Sequence, residues 1–179
     1  MLEIVVPGRE VYDEDKNEFI TSKPTRLTLE HSLISLSKWE SKWEKPFLSS
    51  EKNNIEMIDY IKCMTLTQNV DPLVYASLSQ DNIEEISKYI EASMTATVIN
   101  NKENKRGKKE IVTAEIIYYW MVTLNIPFEC QKWHLNKLLT LIEVCSIKNQ
   151  PEKKMSRNEI LRSNRSLNAA RRAKYKTRG

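Results

Sequence analysis

The sequence predicts an α+β protein that is mainly α, with a small antiparallel sheet at its N-terminus. Residues 1–30 alternate apolar and polar side chains with the period of two that strands require, whereas residues 31–150 repeat apolar side chains every three or four positions, as helices do. Residues 151–179 are strongly basic and contain few apolar side chains. We therefore expect a globular domain over 1–150, in which a sheet of three or four strands packs on a bundle of about five helices, and a basic C-terminal tail that is helical or partly disordered.

The strand-rich segment is predicted to contain short antiparallel strands joined by turns. Alternating apolar side chains mark its first and last strands: Leu2, Ile4 and Val6, then Leu27 and Leu29. Between them, two β-rich runs flank the polar residues 13–18, which suit a hairpin loop. Strands so few and short are not stable alone, and their apolar face therefore needs a layer of helices.

Four helices are expected between the strands and the middle of the chain. The first ends before Pro46, and the third is opened by Asp71 and Pro72, because Asp is a good N-cap and Pro suits the first helical position. The predicted N-cap of the second helix is Ser49 or Ser50, and the fourth helix is predicted to be capped within residues 79–82. The predicted apolar stripe of the second helix is Ile55, Ile58, Ile61 and Cys63. That of the fourth helix is Ile83, Ile86, Tyr89 and Ile90.

Two further helices are expected beyond a solvated polar loop over residues 100–110. The helix that begins at Thr113 has almost no polar face, which predicts a central and buried position. Residues 125–127 break it, and a long helix follows over residues 130–147. The predicted buried side of this last helix consists of Trp133, Lys137, Leu138, Leu141, Ile142 and Cys145.

Charge is unevenly distributed along the chain. Residues 151–179 contain ten Lys or Arg and two Glu, which gives +8, so residues 1–150 carry −4 of the total +4. Three interpretations of the tail stay open: a solvated helix that contributes solubility or packs on the protein's own acidic face, a segment that orders on a protein partner, and a ligand for nucleic-acid phosphates. The tail has one aromatic residue and no series for stacking bases, so nucleic acid is the less favoured partner. The candidate contact residues of the tail are Arg162, Arg165, Arg171, Arg172 and Lys174.

Composition argues against several classes of function. The three glycines, Gly8, Gly107 and Gly179, are too far apart in the sequence to form a dinucleotide-binding or a P-loop motif. Cys130 and His134 lie four residues apart on a predicted helix and suggest a metal site or a nucleophile with its base, but no third residue is marked to complete either site. Buried free thiols in a reducing cytoplasm are the simpler interpretation, and we expect no catalytic, cofactor-binding or metal-binding residues. No signal peptide or membrane span is evident, which predicts a soluble protein without a membrane partner.

Two tryptophans on the first predicted helix are the remaining candidate contact residues. Trp39 and Trp43 lie one helical turn apart, with lysines interleaved. They either pack in the core against the sheet or form an exposed aromatic face for a protein partner, as Trp often does at interfaces. The sequence leaves both interpretations open.

Several runs of the sequence resemble a known protein family. They lie at residues 29–40, 45–48, 94–97, 116–130 and 153–179, and include the strings LEHSLISLSKWE, KPFL, MTAT, IIYYWM and IPFEC. Together they are similar to small proteins encoded among the tail genes of long-tailed, siphovirus-type bacteriophages, a family associated with tail assembly chaperones. The resemblance covers nearly the whole chain.

The resemblance implies a non-enzymatic protein that binds another protein. Such chaperones coat the long, helical, apolar tape measure protein and keep it soluble until tail-tube subunits polymerise around it, and they are not retained in the finished particle. The implied location is the cytoplasm of the infected bacterium. Two alternatives stay open: a virion structural protein, such as a tail or neck component, whose basic tail docks on neighbouring subunits, and a nucleic-acid-binding accessory protein. Self-association into a homo-oligomer is also left open.

Overall fold

The structure, a computed structural model, describes residues 1–8, 10–13, 18–21, 23–99, 111–149 and 157–175. Contacts divide the chain into two units, Met1–Ile147 and Lys148–Gly179. The strands are β1 Leu2–Val6, β2 Glu10–Asp13, β3 Glu18–Thr21 and β4 Thr25–Leu29. The α-helices are α1 Leu33–Trp43, α2 Asn54–Met64, α3 Pro72–Ala76, α4 Gln80–Glu91, α5 Ala114–Thr123, α6 Leu135–Lys148 and α7 Arg157–Tyr175, with a 3₁₀ helix, Phe128–Lys132, before α6. The described residues are thus mainly helical, as predicted, and six α-helices precede the tail where about five were expected.

The strands form two separate two-stranded antiparallel ladders, not one sheet of three or four strands. β1 pairs with β4, and β2 pairs with β3. The two ladders share one register, because three residues separate β1 from β2 and three residues separate β3 from β4. Pro7 directly follows β1 and Pro24 directly precedes β4, and the β1–β4 ladder ends at these residues, which have no N–H to donate. The hairpin predicted around residues 13–18 is confirmed by β2 and β3, while its residues 14–17 lie outside the described part.

The ladder of β1 and β4 covers the core with one face. Its buried side chains are Ile4, Val6, Leu27 and Leu29, whereas Glu3 and Val5 are exposed. This confirms the alternation predicted from the sequence. The layer of helices that the strands require begins with α4, which packs on β1 and donates a hydrogen bond from Asn82 Nδ2 to Val5 O at 3.3 Å.

Helix starts follow local capping signals. Asp71 caps α3 with Pro72 at its start, and Ser79 caps α4, both as predicted. The cap of α2 is Asn53, however, and not Ser49 or Ser50. Asn53 and Glu56 hydrogen-bond each other's backbone N–H, and this reciprocal capping box outcompetes a single serine.

The buried face of α2 differs from the predicted isoleucine stripe. Ile55 is exposed, whereas Ile61 is buried and the other two members of the stripe are half-buried. Two acidic residues, Glu56 and Asp59, occupy the buried face. They are buried because lysines of α1 and of the segment after it reach them, so burial here follows ion pairing as well as hydropathy.

Helix α5 is not central, which corrects the prediction from its apolar composition. Ala114, Ile117 and Met121 are buried, but Tyr119 and Val122 are exposed. One face of the helix packs on α1, and the opposite face is open. Apolar composition on every side of a helix therefore does not imply burial on every side.

The helix predicted over residues 130–147 is interrupted. Residues 128–132 form the 3₁₀ helix, the chain is extended at Trp133, and α6 begins only at Leu135. The interruption is fixed by an isolated antiparallel bridge between His134 and Ser32, in which Leu135 N donates to His31 O at 2.7 Å.

This break changes which side chains of α6 are buried. Leu138 and Ile142 are buried as predicted, whereas Lys137 is exposed and Trp133 is 40% exposed. Both exposed residues therefore belong to a surface and not to the core.

The second unit contains α7, which confirms a helix in the basic tail. The solvated loop predicted over residues 100–110 and the start of the tail at 151–156 lie outside the described residues. Among the helices that the structure describes, none has both the length and the apolar character needed to cross a membrane.

Candidate partner-binding surfaces

Trp39 is a core residue. It is 0% exposed, its ring packs edge-on against Phe47, and its Nε1 donates to Glu56 O at 2.9 Å. Trp43, one turn later, is half-buried and donates from Nε1 to Asp59 Oδ2 at 2.9 Å. These contacts support the core interpretation of the pair, because both indole N–H groups are already used between α1 and α2. In this conformation Trp39 has no surface to offer a partner.

Two ion pairs cover the solvent side of the contact between α1 and α2, which we call the α1–α2 junction. Lys42 Nζ lies 2.6 Å from Asp59 Oδ1, and Lys45 Nζ lies 2.5 Å from Glu56 Oε1. The hydrogen bond from Lys45, followed by that from Asn53, lowers the pKa of Glu56. Burial raises the pKa of Asp59, but hydrogen bonds from Lys42 and Trp43 outweigh it and leave a net lowering. The α1–α2 junction is therefore a closed, internally satisfied structure.

A buried carboxylate fixes α5 against α1. Glu40 Oε1 accepts from Phe47 N, and Glu40 Oε2 accepts from Ala114 N, both at 2.7 Å. Ala114 is the first residue of α5, and Thr113 before it makes no side-chain capping bond. Glu40 thus provides an N-terminal cap of α5 from a different helix.

The open side of α5 carries exposed aromatic and apolar side chains, which we call the α5 face: Tyr118, Tyr119, Val122 and Phe128. Two exposed polar residues of α5, Glu115 and Thr123, lie on the same side of the helix. Tyr119 is 66% exposed, Val122 58% and Phe128 53%. Tyr118 joins them, because its ring lies 6.4 Å from that of Phe128 between centroids and it sits one turn before Val122. Sequence analysis missed this surface. The signal was present in the scarcity of polar side chains on α5, which requires either a second covering layer or a largely apolar exposed face.

A cavity of about 740 Å³ opens between the start of α1, the end of α2 and the segment from residue 132 into α6. Its volume is in the range of protein binding pockets. Its large apolar lining residues are Ile34, Met64, Leu66, Met94 and Trp133. At the mouth, Leu66, Met94 and Trp133 are 40–53% exposed, so this is an open groove and not an enclosed chamber. We call it the α1–α6 groove.

Positive charge surrounds the α1–α6 groove. Lys38, Lys132 and Lys137 line it and are exposed. Lys38 follows Ile34 by one helical turn. Lys137 Nζ lies 4.5 Å from the centroid of the Trp133 ring, a cation–π contact.

The carboxylate in the groove is already paired. Glu30 Oε2 lies 3.0 Å from the amino group of Met1, and Glu30 Oε1 accepts from Tyr89 Oη at 2.7 Å. Burial, and next the hydrogen bond to Glu30, raises the pKa of Tyr89, so its hydroxyl stays a donor. Glu30 is therefore committed within the fold, and the lysines keep their charge free for a ligand.

Both histidines of the chain lie behind this groove. The rings of His31 and His134 are 5.0 Å apart between centroids, His31 Nδ1 lies 2.5 Å from Tyr60 Oη, and His134 Nε2 donates to Tyr89 O at 3.0 Å. Burial, with a further effect of His134, lowers the pKa of His31 to about 3, and burial also lowers the pKa of His134. Both rings are therefore neutral at pH 7, and within the described residues His134 Nδ1 is buried without a hydrogen-bond partner.

Cys130 and His134 do not form the joint site considered from the sequence. They are on opposite sides of the break before α6, and His134 uses Nε2 on a backbone carbonyl. Burial raises the pKa of the Cys130 thiol, which opposes a nucleophilic role. Cys63, Cys130 and Cys145 are free, and in the described part of the chain no three His, Cys, Asp or Glu converge on a metal-sized site.

The candidate residues of the tail all lie on α7. They are exposed: Arg162, Arg165, Arg171, Arg172 and Lys174. Because successive helical residues turn by about 100°, these cations point to several sides of α7 and form no single stripe. The helix therefore offers a diffuse positive charge.

Comparison of the chain with models of protein families gives no match, and no curated protein or solved structure matches it. Its functional interpretation therefore depends on these surfaces and on the resemblance found in the sequence.

Proposed function

We propose that this protein is a tail assembly chaperone of a long-tailed bacteriophage, which binds the helical tape measure protein during tail morphogenesis without enzymatic activity. It acts in the cytoplasm of the infected bacterium. The α5 face is the observation that carries this proposal, because it offers a helical partner an apolar surface on a rigid helix. The sequence resemblance supplies the identity of that partner.

The geometry of the α5 face suits an amphipathic helix. Tyr119 and Val122 are three residues apart and Tyr118 and Val122 are four apart, so they form a ridge that fits the spacing of apolar residues on a second helix. Apolar surface of this kind costs free energy in water, by about 25 cal/mol for each Å² exposed. A partner helix would bury this surface. Within the chain, the hydrogen bond from Ala114 N to Glu40 and the packing of α5 on α1 hold the opposite face of α5 against the core.

The test is co-expression with the tape measure protein of the same phage. The wild-type chain is expected to keep the tape measure protein soluble and to copurify with it. The double variant Tyr119→Glu/Val122→Glu is expected to lose both effects, because two carboxylates on the ridge cannot be buried by an apolar helix. Soluble tape measure protein and copurified complex are measured on the same gel.

A matched control comes from another exposed apolar residue. Ile55 lies at the start of α2, away from the α5 face, and is exposed. Ile55→Glu also replaces an exposed apolar side chain by a carboxylate and is expected to keep the tape measure protein soluble. An insoluble tape measure protein beside wild-type chain, or equal rescue by the double variant, would contradict the proposal.

The second candidate function is a virion structural protein, a tail or neck component whose basic tail docks on neighbouring subunits. The exposed cations of α7 favour it, because free positive charge suits an acidic neighbouring surface. Mass spectrometry of purified particles separates the two functions. Stoichiometric amounts in mature virions would support the structural role, and absence from virions would support the chaperone.

A further inference from the structure

We propose that the α1–α6 groove binds an acidic, apolar segment of the partner protein, with partner carboxylates on Lys38 and Lys137 and partner apolar side chains between Ile34 and Trp133. The inference rests on the proposed function and locates a second contact of the same partner, distinct from the α5 face. It names the partner by its chemistry: a helical segment in which Glu or Asp accompanies Leu, Ile or Met.

The walls of the groove repeat one arrangement. On α1, apolar Ile34 precedes Lys38 by one turn, and in the lining segment from residue 132 into α6 Trp133 precedes Lys137 by four residues. A segment bound in the groove can therefore meet an apolar residue and a lysine from each of these two elements. Glu spaced one turn from an apolar residue fits this pattern, because side chains four apart share a helical face.

The openness of the groove favours a polypeptide over a small molecule. Pockets for small ligands surround most of the ligand surface. Here the mouth is formed by half-exposed Leu66, Met94 and Trp133, which would remain in contact with water around a small ligand. A continuous segment covers the mouth as well as the floor.

The charge of the groove selects an acidic segment. The body over residues 1–150 carries −4, yet the groove gathers three lysines and the Met1 amino group against one carboxylate, that of Glu30. None of the three lysines lies within salt-bridge distance of a carboxylate of the described residues. The local sign is therefore opposite to that of the body, and complementary charge steers an acidic ligand to this place.

Charge also disfavours the chain's own segments as occupants. Residues 100–110 contain five Lys or Arg and two Glu, a net +3, and residues 151–179 carry +8. Both would meet lysines of the same sign. An external acidic segment has no such penalty.

The probe is a fluorescein-labelled, 18-residue amphipathic peptide of Leu, Ala, Glu and Gln that has no Trp and carries Glu one turn from Leu. Its affinity for the full-length chain is measured by fluorescence anisotropy. We expect saturable binding that weakens as salt rises. A peptide with Gln at every Glu position is expected to bind at least tenfold more weakly.

Matched charge reversals locate the site. Lys38→Glu/Lys137→Glu is expected to weaken binding of the acidic peptide at least tenfold. Lys23→Glu/Lys88→Glu makes the same change in net charge at exposed lysines that do not line the groove, and is expected to stay within twofold of wild type. Equal affinity of the two double variants, or equal affinity of the two peptides, would overturn the proposal.

Two further outcomes separate this inference from the proposed function. If the wild-type chain fails to capture tape measure protein but binds the acidic peptide through Lys38 and Lys137, the chaperone function fails and the groove assignment stands. If tape measure capture depends on Tyr119 and Val122 but not on the two lysines, the groove assignment fails and the function stands. A dimer in sedimentation that Lys38→Glu/Lys137→Glu dissociates would make a second copy the occupant and overturn the inference.

Discussion

Helices α1 and α5 both carry several aromatic side chains and pack on each other, but they use those side chains in opposite ways. On α1, Trp39 and Trp43 are covered by α2, and each indole N–H has a partner there. On α5, Tyr119 and Val122 face outward, and within the described residues no element covers them. The difference shows that aromatic content alone does not separate core from interface. Polar groups positioned to receive an aromatic side chain, as on α2, are what mark a core.

The first prediction tests the closed side of this comparison. Trp39→Ala removes a fully buried ring, leaves a cavity beside Phe47 and frees the carbonyl of Glu56. The free energy of unfolding is expected to fall by about 3–5 kcal/mol, the usual cost of truncating a large aromatic residue in a core. Urea unfolding followed by circular dichroism measures it. A loss below about 1 kcal/mol would place Trp39 on a surface after all.

The second prediction concerns the residue that links the two helices. Glu40→Gln keeps the size of the side chain but replaces one carboxylate oxygen by an NH₂ donor, which cannot accept from Phe47 N or Ala114 N. One buried N–H is left unsatisfied, so the free energy of unfolding should fall by about 1–3 kcal/mol. Amide hydrogen exchange at Phe47 or at the start of α5 should accelerate in the variant. Unchanged exchange both at Phe47 and at the start of α5 would contradict the role of Glu40 as acceptor for both N–H groups.

The third prediction is a pH dependence that comes from the two histidines. A histidine whose pKa is lowered by folding binds its proton more readily in the unfolded chain, so stability is complete above pH 6.5 and is lost as pH falls. With the pKa of His31 at about 3, the free energy of unfolding should drop by about 2 kcal/mol for this residue between pH 7 and pH 5. The lowered pKa of His134 adds to the effect.

The control for this pH effect is His31→Asn. The variant is expected to be less stable at every pH, but with a smaller slope between pH 7 and pH 5, since one titrating group is gone. Glu56 and Asp59, whose pKa values folding lowers, also lose stabilisation as pH falls, but only near and below their ordinary values of about 4. A slope that is equal in wild type and variant would exclude His31 as its source.

Sequence reasoning succeeded where local rules decide the structure. Alternation in β1 and β4 and the caps at Asp71 and Ser79 depend only on neighbouring residues, and all were predicted. The split of the strands into two ladders, with Pro7 and Pro24 at the end of the first, becomes visible only once the pairing of β1 with β4 is known.

Sequence reasoning failed where contacts between residues far apart in the sequence determine the structure. The break before α6 is made by a bridge from His134 to Ser32, and no local helix-stop signal stands at that point. The same bridge places Trp133 and Lys137 at the groove instead of in the core. Likewise, the buried and open faces of α5 are decided by its packing on α1 and by its cap from Glu40, both far away in the sequence. The positions of both surfaces were thus not predicted, although their residue types and the scarcity of polar side chains on α5 were visible in the sequence.

The smallest expected effect tests the open side of the comparison. Val122→Ala on the α5 face should leave the free energy of unfolding unchanged or raise it by a few tenths of a kcal/mol, because the side chain is exposed and Ala is the better helix former. Met121→Ala, at the adjacent position but fully buried, should lower it by about 2–5 kcal/mol. Urea unfolding of both variants measures the contrast between two faces of one helix. Equal losses would mean that Val122 is covered in the folded protein, in which case the α5 face is part of the core and its role as a partner surface must be abandoned.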